Sequence, residues 1–156
     1  MDQVAFIMQW HVLGMYAPSF FTGNLIARFG LGRILTAGCL ILVGTAVTAL
    51  SGASLVHFWV ALFLLGVGWN LLFIGSSTLL ATLHTEAERG KVQGVNDLVI
   101  FAMVTVGSLM SGTLLHHLGW ETMNLLMLAP IGIVTLSILW MRLSRASLPV
   151  APTRSS

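Results

Sequence analysis

The sequence predicts an all-α membrane protein that crosses the bilayer five times, and three observations carry that prediction. Of its 156 residues, 56% are hydrophobic and only 8% are charged, whereas a soluble domain has roughly a quarter of its residues charged. The mean hydropathy of +0.93 comes from five apolar runs of membrane length rather than from amphipathic stripes. The Lys and Arg residues, seven in all, fall in alternate gaps between those runs and after the last of them.

A bilayer core of about 30 Å needs roughly 20 apolar residues per helix, because lipid offers backbone amides no partner. Residues 4–27, 34–51, 58–82, 92–115 and 122–141 meet that demand, defining a transmembrane unit over residues 1–143. The first run opens with "MDQVAFIMQW", which lacks the basic flank and small-residue cleavage site of a removable signal peptide. It is therefore expected to stay as a span. Pro18 inside it has no amide N–H and is expected to bend it. The glycines of "RFGLGR" then permit a tight reversal.

The second run carries the lone cysteine, Cys39, which makes neither an internal disulfide nor a multi-cysteine metal site and reads as a small core residue. The gaps "GASLVH", "HTEAERGK" and "HHLGWE" separate the later runs. Gly66 and Asn70, Gly107 and Ser111, and Ser108 and Gly112 stand four apart, a spacing that lets helices approach closely. Residues 144–156, rich in small polar residues and proline, read as a disordered cytoplasmic tail.

Short loops keep Lys and Arg on the cytoplasmic side. Arg28 and Arg33 fall in the first gap, Arg89 and Lys91 in the third, and Arg142, Arg145 and Arg154 after the last run. The N-terminus and the second and fourth gaps hold none. This pattern predicts an external N-terminus and a cytoplasmic C-terminus. A first helix entering from outside without a positive flank predicts a further helix before it. The chain is then either a piece of a longer transporter or the product of a start codon inside a longer frame.

Several function classes are excluded. Basic residues divided among separate loops form no continuous patch, so nucleic acid is not an expected partner. No H-E-x-x-H, G-x-S-x-G or phosphate loop is present, and intramembrane catalysis would need a paired nucleophile and base that the sequence does not offer. The adjacent His116 and His117 point to different sides, which disfavours a metal site. An enzyme, a metal and a cofactor are all unexpected.

Three motifs resemble the major facilitator superfamily. Gly23, Arg28, Gly30 and Arg33 in "GNLIARFGLGR" are similar to its G-x-x-x-D-R-x-G-R-R loop, with Ala27 in place of the aspartate. "ERGKVQG", with Glu88, Arg89, Gly90 and Gly94, resembles its E-R-G-x-x-x-G entrance to the fifth or eleventh helix. "SGTLLHHLGWE", Ser111 to Glu121, resembles its G-x-L-x-x-x-x-G-W-R hairpin, with Glu121 where arginine is usual. Their order and spacing match helices eight to twelve, a partial C-terminal bundle. The resemblance implies a permease or exporter in a bacterial inner membrane, moving a small solute by alternating access. It also implies that the missing N-terminal half, or another membrane chain, completes the bundle. The other reading is a small multi-pass scaffold or assembly protein without transport.

Candidate site residues are the polar groups deep in spans. Asn70 must face protein or water, either bonding a neighbouring helix or contacting solute, and Trp69 beside it is a cavity wall or a lipid-facing ring. Gln9 and His11 lie about 200 degrees apart around a helix, so at most one faces a cavity. Both also suit an interfacial role beside Trp10, while His11 keeps a proton-coupled carrier open. Gln93, Asn96 and Asp97 share one stripe at the start of the fourth run, as a gate, a cap or a proton-coupling group.

Overall fold

The computed structural model describes residues 2–146, which are helical throughout apart from short joints. Five elements follow in order: α1 (Asp2–Tyr16), α2 (Ser19–Phe29), α3 (Leu31–Ser51), α4 (Leu55–Leu83) and α5 (Glu86–Ala146). Residues 147–156, most of the expected tail, lie outside the described residues. Among the described residues, three helices are long and apolar enough to cross a membrane: Leu31–Ser51, Leu55–Leu83 and Glu86–Met141. The expected second and third spans correspond to α3 and α4.

The expected first span is divided. The Ala17 amide closes α1 on the Leu13 carbonyl at 2.8 Å, and the Phe21 and Thr22 amides open α2 on the Pro18 carbonyl at 2.9 Å each. Pro18 supplies no amide of its own, so it suits a helix start and interrupts the ladder there. The "RFGLGR" reversal is tighter still: Gly30 alone joins α2 to α3, at φ 87°. A side chain there would meet the left-handed steric penalty.

α4 is the hub, packing against each of the other four helices. Its glycines explain how. A Cβ on Gly66 would lie 2.4 Å from the His11 carbonyl of α1, while one on Gly68 or Gly75 would strike Leu42 or Leu35 of α3 at 2.7 Å. Without side chains at these positions, backbones approach closely and dispersion contacts accumulate where lipid gives no hydrophobic drive. Gly107 and Gly112 behave differently. No atom lies within 4 Å of a Cβ built on either, because this part of α5 stands at the bundle edge.

α5 begins at a Thr-x-x-Glu box, with the Thr85 hydroxyl donating to Glu88 Oε2 at 2.8 Å. Its helical geometry breaks at Gly119, φ 76° and ψ 167°. A straight helix would put Ile100 and Ile138 about 57 Å apart at 1.5 Å per residue, yet both line one cavity. The chain therefore doubles back at Gly119. Trp120 donates its indole N–H to the Ala49 carbonyl near the end of α3 at 3.1 Å. Ile138 and Met141 reach Leu35, Cys39 and Leu31 near the start of α3. The expected fourth and fifth runs thus lie in one helical element on either side of this break.

Candidate functional site

The polar groups of the bundle collect at two levels of α4. Asn70 is 4% exposed and Thr22 is fully buried. Asn70 Nδ2 donates to the Met15 carbonyl at 2.6 Å, and the Thr22 hydroxyl donates to Asn70 Oδ1 at 2.7 Å. One amide side chain therefore spans the break between α1 and α2. A buried amide left unbonded would cost several times what a bond gains, so this placement accounts for an asparagine deep in an apolar helix. About two turns away along α4, His11 donates from Nδ1 to the Leu62 carbonyl at 2.7 Å.

Gln9 is on another face. It lies exposed in a shallow groove of α1 between Ala5, Met8 and Val12. The structure thus separates Gln9 from His11 and brings His11 and Asn70 to the same α1–α4 seam.

Trp69 points from the other side of α4 into a cavity of about 380 Å³ shared with α3 and both limbs of α5. Its ring lies nearly parallel to that of Phe73, 12° apart with centroids 6.0 Å apart, and Phe73 leans on Phe101 at 6.2 Å. Leu35, Leu72 and Ile138 complete an almost wholly apolar wall, relieved by Ser76. Aromatic faces in offset array favour flat, unsaturated ligands.

Toward the far end of α4, Gln93, Asn96 and Asp97 do share one stripe. Gln93 Nε2 donates to Asp97 Oδ1 at 2.9 Å and reaches Ser77 of α4 at 3.1 Å, while Asn96 Nδ2 donates to the same carboxylate oxygen at 3.2 Å. Gln93 therefore ties α5 to α4 and orients the Asp97 carboxylate. On either side of Gly30, Arg28 in the last turn of α2 and Arg33 in the first turn of α3 are exposed, with the Arg28 guanidinium 5.4 Å from the Phe29 ring centre. Gly23, Gly90 and Gly94 face open space, Arg89 is exposed, and Glu88 is engaged by Thr85.

Thr22, Phe73 and Ser77 were not singled out by sequence. Thr22 had one signal, a hydroxyl four residues after a proline inside an apolar run. Ser77 lies seven residues from Asn70, two helical turns along.

An apolar helical bundle whose polar side chains bond between helices is an integral membrane protein. Within that class the chain belongs to the Major Facilitator Superfamily, whose family model matches residues 1–156. Its curated relatives include the riboflavin transporter RfnT of Brucella anthropi, 46% identical over 138 residues, which cover 88% of this chain and 35% of the relative. Two uncharacterized MFS-type transporters of Bacillus subtilis, YdeG and YddS, are each 30% identical, covering 79% and 80% of this chain and 29% of each relative. The chain spans about a third of the length of these relatives. No solved structure matches it. Membership sets it among transporters rather than enzymes.

Proposed function

We propose that this chain forms part of the body of a secondary transporter that moves riboflavin, or a solute of the same flat aromatic kind, by alternating access. The observation that carries the proposal is its 46% identity over 88% of its length to a riboflavin transporter. The parallel Trp69 and Phe73 rings support it, since they offer a surface on which a planar heteroaromatic ring stacks.

In this reading the bundle crosses the membrane five times. The tandem α1 and α2 make one crossing, α3 and α4 one each, and the limbs of α5 before and after Gly119 the last two. Arg28, Arg33, Arg89 and Lys91 face the cytoplasm of a bacterial inner membrane, as does the C-terminus. Trp69 forms the cavity wall. Asp97, held by Gln93 and Asn96, gates the cytoplasmic end or passes a coupling proton. Transport belongs to the complete assembly, in which an N-terminal half or another membrane chain supplies the remaining helices.

The test is riboflavin movement in bacteria that neither make riboflavin nor take it up by another route. Expression of the complete reading frame containing this sequence is expected to permit growth on dilute riboflavin, or, for an exporter, to load inverted vesicles when energised. Absence of both, with the protein present in the membrane, would overturn the substrate assignment.

A further inference from the structure

The Thr22 hydroxyl has one proton and two acceptors within reach: Asn70 Oδ1 of α4 at 2.7 Å and the Pro18 carbonyl of its own helix at 2.9 Å. Opening the interhelical bond therefore leaves the hydroxyl satisfied, since a buried threonine readily bonds the carbonyl four residues back.

The Met15 carbonyl has a similar choice. It now accepts from Asn70 Nδ2 at 2.6 Å. In a continuous helix it would accept from the amide four residues on, that of Ser19, which here opens α2 beyond the break. Asn70 thus fastens both sides of the one point where the first pair of helices loses its continuous ladder, and both fastenings have local substitutes. An element whose two arrangements each satisfy its polar groups is what a dry bundle requires in order to bend reversibly.

We propose that Pro18, Thr22 and Asn70 form a two-position latch. When the latch is closed, Asn70 holds α1 and α2 against α4. When it is open, the Thr22 hydroxyl keeps the Pro18 carbonyl alone, the Met15 carbonyl takes the Ser19 amide across the break, α1 and α2 straighten, and the Asn70 amide turns to water or solute. Asn70 is a positioning residue in this device, which rests on the transport reading above for its use but not for its existence.

The experiment is a spin-label distance measurement on the complete transporter in lipid vesicles without solute. Labels go at the exposed Val12→Cys and Phe29→Cys, in a Cys39→Ala background. These positions are about 25 Å apart along a straight helix pair at 1.5 Å per residue. Two distances are expected. Thr22→Val, which removes the hydroxyl at similar volume, is expected to shift their ratio about tenfold toward the longer one. Thr22→Ser restores the ratio. Pro18→Ala, which returns an amide to the ladder, shifts it the same way as Thr22→Val and serves if that variant fails to insert. In riboflavin transport Thr22→Val is expected to change the maximal rate about threefold or more with KM within about twofold. One unshifted distance in the parent, Thr22→Val and Pro18→Ala would overturn the latch. A parent protein that moves no riboflavin counts against the substrate alone, because the distance arm uses none.

Discussion

A methyl group at Gly66 would sit 2.4 Å from the His11 carbonyl oxygen and 2.9 Å from the Met15 amide nitrogen. Both are backbone atoms of α1, so no change of rotamer relieves the clash and α1 must move away from α4. A close carbon-to-oxygen contact is about 3.3 Å, so the required displacement is on the order of 1 Å. That movement carries the Asn70 to Met15 and His11 to Leu62 bonds, now 2.6 and 2.7 Å, to the limit of hydrogen bonding. Overpacking costs about 1–3 kcal/mol and each interhelical bond in a membrane about 0.6 kcal/mol, so Gly66→Ala is expected to destabilise the bundle by about 2–4 kcal/mol. Unfolding by a denaturing detergent, followed by tryptophan fluorescence, measures this. Gly44→Ala is the control, since its Cβ meets nothing within 4 Å, and its shift is expected to stay within about 1 kcal/mol. Equal midpoints for the two variants would refute the claim that α1 and α4 meet backbone to backbone.

Gly30→Ala tests strain without collision: its surroundings are open but its φ is 87°, so a loss of about 1–2 kcal/mol is expected in the same unfolding assay. Gln93→Leu removes the only bridge described between Ser77 and Asp97, and hydrogen exchange of residues 90–97 is expected to accelerate while that of α3 stays unchanged. Trp69→Ala removes half of the aromatic platform and is expected to raise the KM for riboflavin about two- to tenfold, read from initial transport rates.

Hydropathy alone located α3 and α4, because a run that lipid must surround is apolar on every face and needs no periodicity to be recognised. The two reversals were also legible: "RFGLGR" and "HHLGWE" each carry the glycine that takes positive φ, Gly30 and Gly119. The division of α1 from α2 was legible only as a bend. Proline announces a lost amide, but whether the helix resumes in line depends on what holds either side of it. Here that is Asn70.

The site divides along the same line. The Gln93, Asn96 and Asp97 stripe follows from helical spacing, whereas Ser77, its partner on α4, does not. Asn70 stood out as an amide in lipid, yet its partners Met15 and Thr22 are 55 and 48 positions away, and one of them is a backbone carbonyl. Spacing within a helix says which residues share a face and nothing of what that face meets. Gly66 and Gly107 begin pairs of the same spacing, and only Gly66 meets a neighbouring backbone.

Sidedness tests the account most directly. Single cysteines at the exposed positions Arg33, Ser54, Glu88 and His117, in a Cys39→Ala background, are to be labelled with a membrane-impermeant maleimide. Ser54→Cys and His117→Cys are expected to react on intact cells, and Arg33→Cys and Glu88→Cys only after permeabilisation. Reaction of Arg33→Cys and Glu88→Cys from opposite sides would contradict the five-crossing topology and the transporter roles drawn from it.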